Sequence, residues 1–382
     1  MLVHPNVSAH TGVMRIIVRF LLLGLVATAG RGSAQVPKYT GPKFEKTRLA
    51  DSVYAFVFDN PLGPAVDGTA LVIINEADVV VVDAQNTPWA ARAVLAEIRR
   101  LTRNPVRYVI TTHWHGDHWQ GNQVYKEAFP GVEFIAHVNT REDIEKEAMP
   151  TFDRTRLEDI PKDLVELEKV TAKAIRRDGK PYAHADSVFM GEQIALYRWL
   201  IPNIRDMRVI EPTLTMTDSL ILHRGKRRIE IRYLGRGNTR GDVVVWLPNE
   251  RVLATGDLLV NPVPYSFGSY LGEWVKTLGA IRAFPASAIV PGHGAIQRDH
   301  AYLDLVVSLL QTTLDQARDA VARGLDLEAT RKAVNLDSLR LRFTGGDMAK
   351  TRAFNGYFAQ PAVERAWLEA RGELDRTPER PR

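Results

Sequence analysis

Thr112-His113-Trp114-His115-Gly116-Asp117-His118 is the most informative stretch of this chain. Three of its ten histidines fall inside six residues, directly after the strand-like run Val106–Thr111. In extended backbone His113 and His115, two apart, project to the same side and can share one cation. Beyond the small Gly116, Asp117 and His118 turn towards a second position. Imidazole with carboxylate is a donor set for zinc, and iron and manganese also use it. The sequence has no cysteine, so thiolate metal sites, disulfide frameworks and cysteine nucleophiles are excluded and any metal falls to His, Asp and Glu. No Gly-x-Ser-x-Gly elbow occurs, which removes the usual serine-hydrolase alternative.

Outward from that cluster the chain alternates strand and helix signals. Upstream lie Ser52–Phe58, Thr69–Ile74 and Asp78–Asp83, rich in Val, Ile and aromatics, then a helix opened by Pro88 and running to Leu101. Downstream come a strand at Val132–His137 and a charged helix around Thr140–Ala148. Residues from about 150 to 206 change character: Leu157, Ile160, Leu164, Leu167 and Val170 recur at helical spacing among many charges. A second helix at Ser187–Trp199 completes an inserted helical unit. Strands resume at Leu214–His223, Arg228–Leu234, Val243–Leu247 and Arg251–Thr255, followed by a helix at Glu273–Phe284 and a strand at Ala288–Val290. From Asp299 the chain reads as helical, with Leu303, Val306, Leu310, Leu314 and Ala317 tracing one face. Two similar strand-and-helix halves predict two packed sheets with helices outside.

His-x-His-x-Asp-His at a strand end resembles the leading, metal-binding motif of the metallo-β-lactamase superfamily, and the resemblance runs from about Val53 to His293. It implies an α/β fold of αββα sandwich type, here with a helical insertion and a C-terminal helical extension. Asp83, after Val79-Val80-Val81-Val82, resembles the family's buried Asp that braces the metal loop. Asp257 in Thr255-Gly256-Asp257 resembles the Asp that bridges two metals, and His293 in Pro291-Gly292-His293-Gly294 the last ligand of the second metal. The implied ligands are His113, His115, Asp117, His118, Asn238, Asp257 and His293, binding one or two zinc ions. Asp117 and Asp257 would orient a metal-bound hydroxide and handle its proton.

One position departs from the pattern. The family's Gly-His-Thr-x-Gly-Asp segment is Gly237-Asn238-Thr239-Arg240-Gly241-Asp242 here, so Asn238 stands where a third histidine would serve the first metal. An amide oxygen is a weaker zinc ligand than imidazole. The first site is weakened while the second holds metal; or Asn238 still coordinates or hydrogen-bonds a metal-bound water; or hydrolysis is lost and a metal- or ligand-binding fold remains. His184 is either a replacement ligand or an ordinary histidine of the insertion. The expectation is a metal-dependent hydrolase of an ester-, lactone- or amide-like carbonyl compound, with β-lactam hydrolysis and the non-catalytic binder as alternatives. Trp114, Trp119, Tyr265, Phe267, Tyr270 and Trp274 either line the mouth of the site or fill the core. The loop Val260–Leu271 reads as a pocket wall.

Residues 14–34, MRIIVRFLLLGLVATAGRGSA, carry Arg15 and Arg19 ahead of a short apolar run and small residues at Gly32, Ser33 and Ala34. That is the pattern of a secretory signal peptide over residues 1–34, too short for a spanning helix, and it implies a periplasmic or secreted protein without stable membrane insertion after cleavage. The catalytic domain is then 35–298 and the helical extension 299–382. A formal charge of +5, three of it in the signal segment, is too small and dispersed for a nucleic-acid partner, leaving a small-molecule substrate. Arg224, Lys226, Arg227 and Arg228 form either a solvated hairpin tip or an anion site.

Overall fold

The computed structural model describes residues 41, 43–59, 67–173, 184–202 and 204–374, and the signal-peptide reading falls outside them. Its first sheet has seven strands in chain order: β1 (Phe44–Ala50), β2 (Val53–Phe58), β3 (Ala70–Ile74), β4 (Val79–Val82), β5 (Val106–Ile110), β6 (Glu133–His137) and β7 (Leu214–Met216). Strands β1 to β4 are antiparallel neighbours, and β4 to β7 run parallel. The second sheet has the order β12-β11-β10-β9-β8, from β8 (Ser219–Arg224), β9 (Arg227–Tyr233), β10 (Val243–Leu247), β11 (Val252–Val260) and β12 (Ala288–His293). Only β11 and β12 are parallel in it.

Period-two alternation assigns the faces. Leu71, Ile73, Val80, Val82 and Ile110 meet Ile229, Ile231, Val243, Val245, Leu247 and Val290 in a core between the sheets. Their neighbours Ala70, Val72, Val79 and Val81 point outward, under α1 (Pro88–Leu101) and α2 (Asn122–Ala128). Helix α1 starts as its sequence dictates: Thr87 Oγ1 accepts from the Ala90 amide, Pro88 occupies the first turn, and Arg99 and Arg100 close the last. The αββα sandwich is therefore the observed architecture, and four consecutive buried valines in β4 are what a strand covered on both faces requires.

The insertion begins earlier than the composition shift suggested. Helical backbone runs from α3 (Val138–Asp143) through a π turn at Ile144–Ala148, α4 (Met149–Arg154) and a second π turn at Thr155–Asp159 into α5 (Ile160–Lys173). His137 caps it, accepting at Nδ1 from the Asn139 amide while its Nε2 lies 2.8 Å from Thr217 O. Helix α6 (His184–Leu200) returns, and Leu167, Met190 and Ile194 join the pair. The His184 side chain lies outside the described residues.

Two strand expectations need correction. Leu214–His223 is not one strand: β7 closes the first sheet, Thr217-Asp218 crosses over, and β8 opens the second. Phe44–Ala50, for which the sequence predicted no strand, is an edge strand, with Phe44 packing edge-on against Phe56 and Phe58. The C-terminal helices cover the outer face of the second sheet. Trp274 and Leu278 of α7 (Leu271–Arg282), Leu303, Val306, Leu310 and Leu314 of α8 (Ala301–Ala322), and Phe343, Phe354 and Phe358 beyond it form one cluster with Val244, Trp246 and Leu253. The apolar stripe of α8 thus packs on its own sandwich. Among the described residues no helix is long and apolar enough to cross a membrane.

Candidate metal centre

The site lies at the ends of β4, β5 and β12 and at an irregularity within β11, and each of the four segments delivers a side chain. Asp83 follows β4 with φ of 62°, a left-handed conformation that Asp tolerates better than most residues. Its Oδ1 accepts from the Thr112 amide, and its Oδ2 takes both the Thr112 hydroxyl and His118 Nδ1, each at 2.8 Å. The buried Asp is therefore the brace that the sequence suggested. It holds the His118 ring so that Nε2 faces the site. Thr112, which the sequence reading passed over, completes the brace and sits 3.1 Å from His113 Nδ1.

Two groups of donor atoms result, each mutually within 4.8 Å: His113, His115 and Asp257, and Asp117, His118 and His293. His113 Nε2 lies 3.0 Å from His115 Nδ1, so the two rings converge as the His-x-His spacing requires. Asp257 stands between the groups. Its Oδ2 is 3.6 Å from His113 Nε2, while its Oδ1 is 3.4 Å from both His118 Nε2 and His293 Nε2. Asp117 Oδ2 approaches His293 Nε2 at 3.0 Å and His118 Nε2 at 3.6 Å.

Strand β11 carries Asp257 through an irregularity. Its register against β12 shifts on either side of Gly256, whose φ is 52°, and the strand continues to Val260 instead of ending at Thr255. A bulge of this kind re-aims the following side chain. A Cβ at Gly256 would press on the Thr112 side chain, and one at Gly292 would overlap Asp257 Oδ1. Both glycines of the two downstream motifs are thus demanded by close approach.

Burial sets the electrostatics. His113, His118, Asp257 and His293 are sealed from solvent, whereas Asp117 keeps 18% of its side-chain surface and His115 is half-buried. Burial, with the nearby His118, pushes the His113 imidazole well below its ordinary range. For His118 burial acts the same way, but Asp83, Asp117 and Asp257 outweigh it and hold its pKa well above normal. Asp117 and Asp257 are held below the usual carboxylate range: burial opposes this, and the surrounding histidines overcome it. His118 Nε2, Asp257 Oδ1, His293 Nε2 and Asn238 Oδ1 are buried without a well-formed hydrogen bond among the described residues. Buried polar atoms left so are costly, and a cluster of them aimed together fits divalent cations.

Asp67 is the residue that sequence reasoning missed. It is buried beside the site, accepts from the Asn86 amide at 3.0 Å, and has its carboxyl pushed up to about 7, chiefly by burial and further by Asp117. Its one signal was position, just before Gly68 at the entry to β3. Of the aromatics expected at the mouth, Tyr265 lies with its ring 5.3 Å from that of His293, and Phe267 lies beside Tyr265. Trp119 and Trp274 are fully buried core residues whose indole N–H groups donate to Trp114 O and Leu258 O. Trp114 is also buried, among Trp119, Ile144 and Ala148, with its ring 5.3 Å from His115. The arginines of the β8–β9 hairpin are ion-paired: Arg224 with Asp78, Arg227 with Glu250, Arg228 with Glu230.

The chain belongs to the metallo-β-lactamase superfamily, whose family model matches residues 63–293. Among curated proteins it is similar to a metallo-β-lactamase type 2 from Bacteroides fragilis, 37% identical over 84 residues, or 20% of this chain and 34% of that one. It is also similar to a linear primary-alkylsulfatase from a Pseudomonas strain, 22% identical over 257 residues, 65% of this chain and 45% of that one. The chain thus spans less than half the length of either relative. Among solved structures, a metallo-β-lactamase from Pontibacter korlensis matches 70% of this chain and 99% of its own, at 18% identity and a TM-score of 0.48. Superfamily membership and the His/Asp clusters together support metal binding.

Proposed function

We propose that the protein is an exported hydrolase that uses zinc to add water to an ester-, lactone- or amide-like carbonyl of a small molecule. One observation carries the reading: the two oxygens of Asp257 are divided between two converging donor groups, so one carboxylate is placed to serve two cations. His113, His115 and Asp257 would hold one, and Asp117, His118, His293 and Asp257 the other. Such cations polarise a substrate oxygen and make water acidic enough to attack near neutral pH.

This chain's own residues supply the rest. Asp117 is the carboxylate of the cluster that solvent reaches, so it is the group placed to orient the attacking water and take its proton. Asp83 and Thr112 keep His118 fixed during that transfer. Tyr265 and Phe267 give the wall an aromatic surface, which suits an apolar or cyclic acyl group. Export rests on the signal-like residues 14–34. The similarity to metallo-β-lactamases makes a β-lactam the first amide to try, and the alkylsulfatase similarity adds a sulfate ester to the panel.

The test is turnover by the zinc-loaded protein of esters, lactones, β-lactams, an alkyl sulfate and a phosphodiester, with His118→Ala alongside. Hydrolysis of a carbonyl substrate that His118→Ala abolishes is expected. Turnover of the sulfate or phosphate ester alone would refute the substrate class, and retention of activity in His118→Ala would refute the site. Bound zinc with no turnover of any substrate would leave the non-catalytic binder.

A further inference from the structure

Asn238 is where this chain departs from its family, and the structure orients its amide. Its Nδ2 donates to Tyr265 O at 2.7 Å. A backbone carbonyl can only accept, so the amino group must face Tyr265 and Oδ1 must face away from it. That oxygen is fully buried and has no hydrogen-bond partner among the described residues. A buried amide oxygen without a donor is disfavoured, so the site is incomplete without a partner for it.

The surroundings narrow the partner. The segment carrying Asn238 is pinned to the metal loop, because the Val243 amide donates to Thr112 O, one residue before His113, at 2.9 Å. It is also tightly made: the Thr239 amide and hydroxyl both donate to Asp242, at 2.7 and 3.1 Å. On its other side Tyr265, which fixes the amide, packs its ring on His293. Asn238 is therefore held between the segment leading into His113 and the wall beside His293.

We infer that Asn238 Oδ1 is a protein ligand of the first cation, and that this makes the first site the weaker and less zinc-selective of the two. The inference rests on the reading that the two donor groups hold cations. The donor sets differ in kind. The second site has two imidazoles, the whole charge of Asp117 and a share of Asp257. The first has two imidazoles, a share of Asp257 and a neutral amide oxygen. Less charge and a harder donor both lower affinity for zinc, whereas carbonyl oxygen is a donor that manganese accepts well. Cations should fill the second site first and enter the first site in a separate, weaker step.

Metal-free full-length protein titrated with zinc, cobalt and manganese against a competing chelator reads this without any assay of activity. Two steps are expected, the weaker at the first site. Asn238→His should tighten zinc in the weak step by about tenfold or more. It should tighten manganese less, and change the cobalt absorption of that step alone. Asn238→Leu, which keeps the volume and removes the oxygen, should abolish the weak step and leave the tight one. Unchanged zinc affinity in Asn238→His overturns the inference even where the leucine variant fails to fold. A weak step that persists in folded Asn238→Leu does the same, and in both cases two-site binding still stands. Binding of no cation by the unsubstituted protein overturns both the inference and the hydrolase reading.

Discussion

Asp83→Asn tests the geometry at its most constrained point. The side chain is buried, and φ of 62° is as acceptable to Asn as to Asp, so the backbone does not confound the substitution. One carboxylate oxygen meets the Thr112 amide, and an Asn carbonyl there would be equivalent. The other meets two groups at 2.8 Å, the Thr112 hydroxyl and His118 Nδ1. Replaced by an amino group, it would face His118 Nδ1 donor to donor. The hydroxyl can rotate and accept, but the imidazole escapes only by moving its proton to Nε2. Nε2 is the atom that faces Asp257 and Asp117, so the tautomer that rescues the brace occludes the second site. Loss of such a partner lowers cation affinity by about 10- to 100-fold, or roughly 1.4–2.7 kcal/mol. Chelator-competition titration with zinc measures it directly, with the first-site step as internal control. A second-site affinity within threefold of the unsubstituted protein would show that Asp83 does not set the tautomer, and the bracing argument would fail.

Two further outcomes follow from burial and close approach. Asp67 has its carboxyl raised from 3.8 to about 7, so between those values the folded metal-free protein holds a proton that the unfolded chain has released. Stability should therefore fall as pH rises from about 4 to about 7, by up to roughly 4 kcal/mol. Urea unfolding of metal-free protein at pH 5 and pH 8 should show a smaller fall in Asp67→Asn, which keeps an acceptor for the Asn86 amide; equal falls would refute the assignment. Gly292→Ala would drive a methyl group into Asp257 Oδ1 and the backbone at Gly256. Overpacking of this kind costs about 1–3 kcal/mol and displaces the shared carboxylate, so both steps of a zinc titration should weaken. Weakening confined to one step would show that Asp257 does not serve both.

Much of this was legible in the sequence because the deciding signals are local. Four valines before Asp83, the spacing of His113 and His115, and the glycines preceding Asp257 and His293 each encode one local feature of a strand, and the four meet at one edge of the sandwich. What escaped the reading depends on contacts distant in sequence. Leu214–His223 contains no proline or glycine, and only the pairing of Leu214 with Ile135 and of Ser219 with Arg232 shows that it serves two sheets. Trp114 and Trp119 flank the motif in sequence, yet the first π turn brings Ile144 and Ala148 over them and removes them from solvent. Asp67 carries no motif; its significance arises from being buried within reach of Asp117.

The insertion and the C-terminal helices have in common that both press on the site from outside the sandwich. The insertion seals the metal loop through Ile144 and Ala148. The extension reaches the opposite wall. Tyr357 packs edge-on against Tyr265, and its carbonyl accepts from the Ser266 amide at 2.9 Å. The Phe358 carbonyl accepts from the Ser266 hydroxyl, and Arg365 Nε donates to Ser269 O. Tyr265 in turn fixes both the Asn238 amide and the face of His293. Burying Asp83, Asp117 and Asp257 among histidines at low dielectric is expensive unless every atom is held or paired. Packing from both flanks supplies that rigidity, and it leaves solvent access through Asp117 and His115. The side on which solvent reaches the site is thereby set by the two segments that lie outside the central strands.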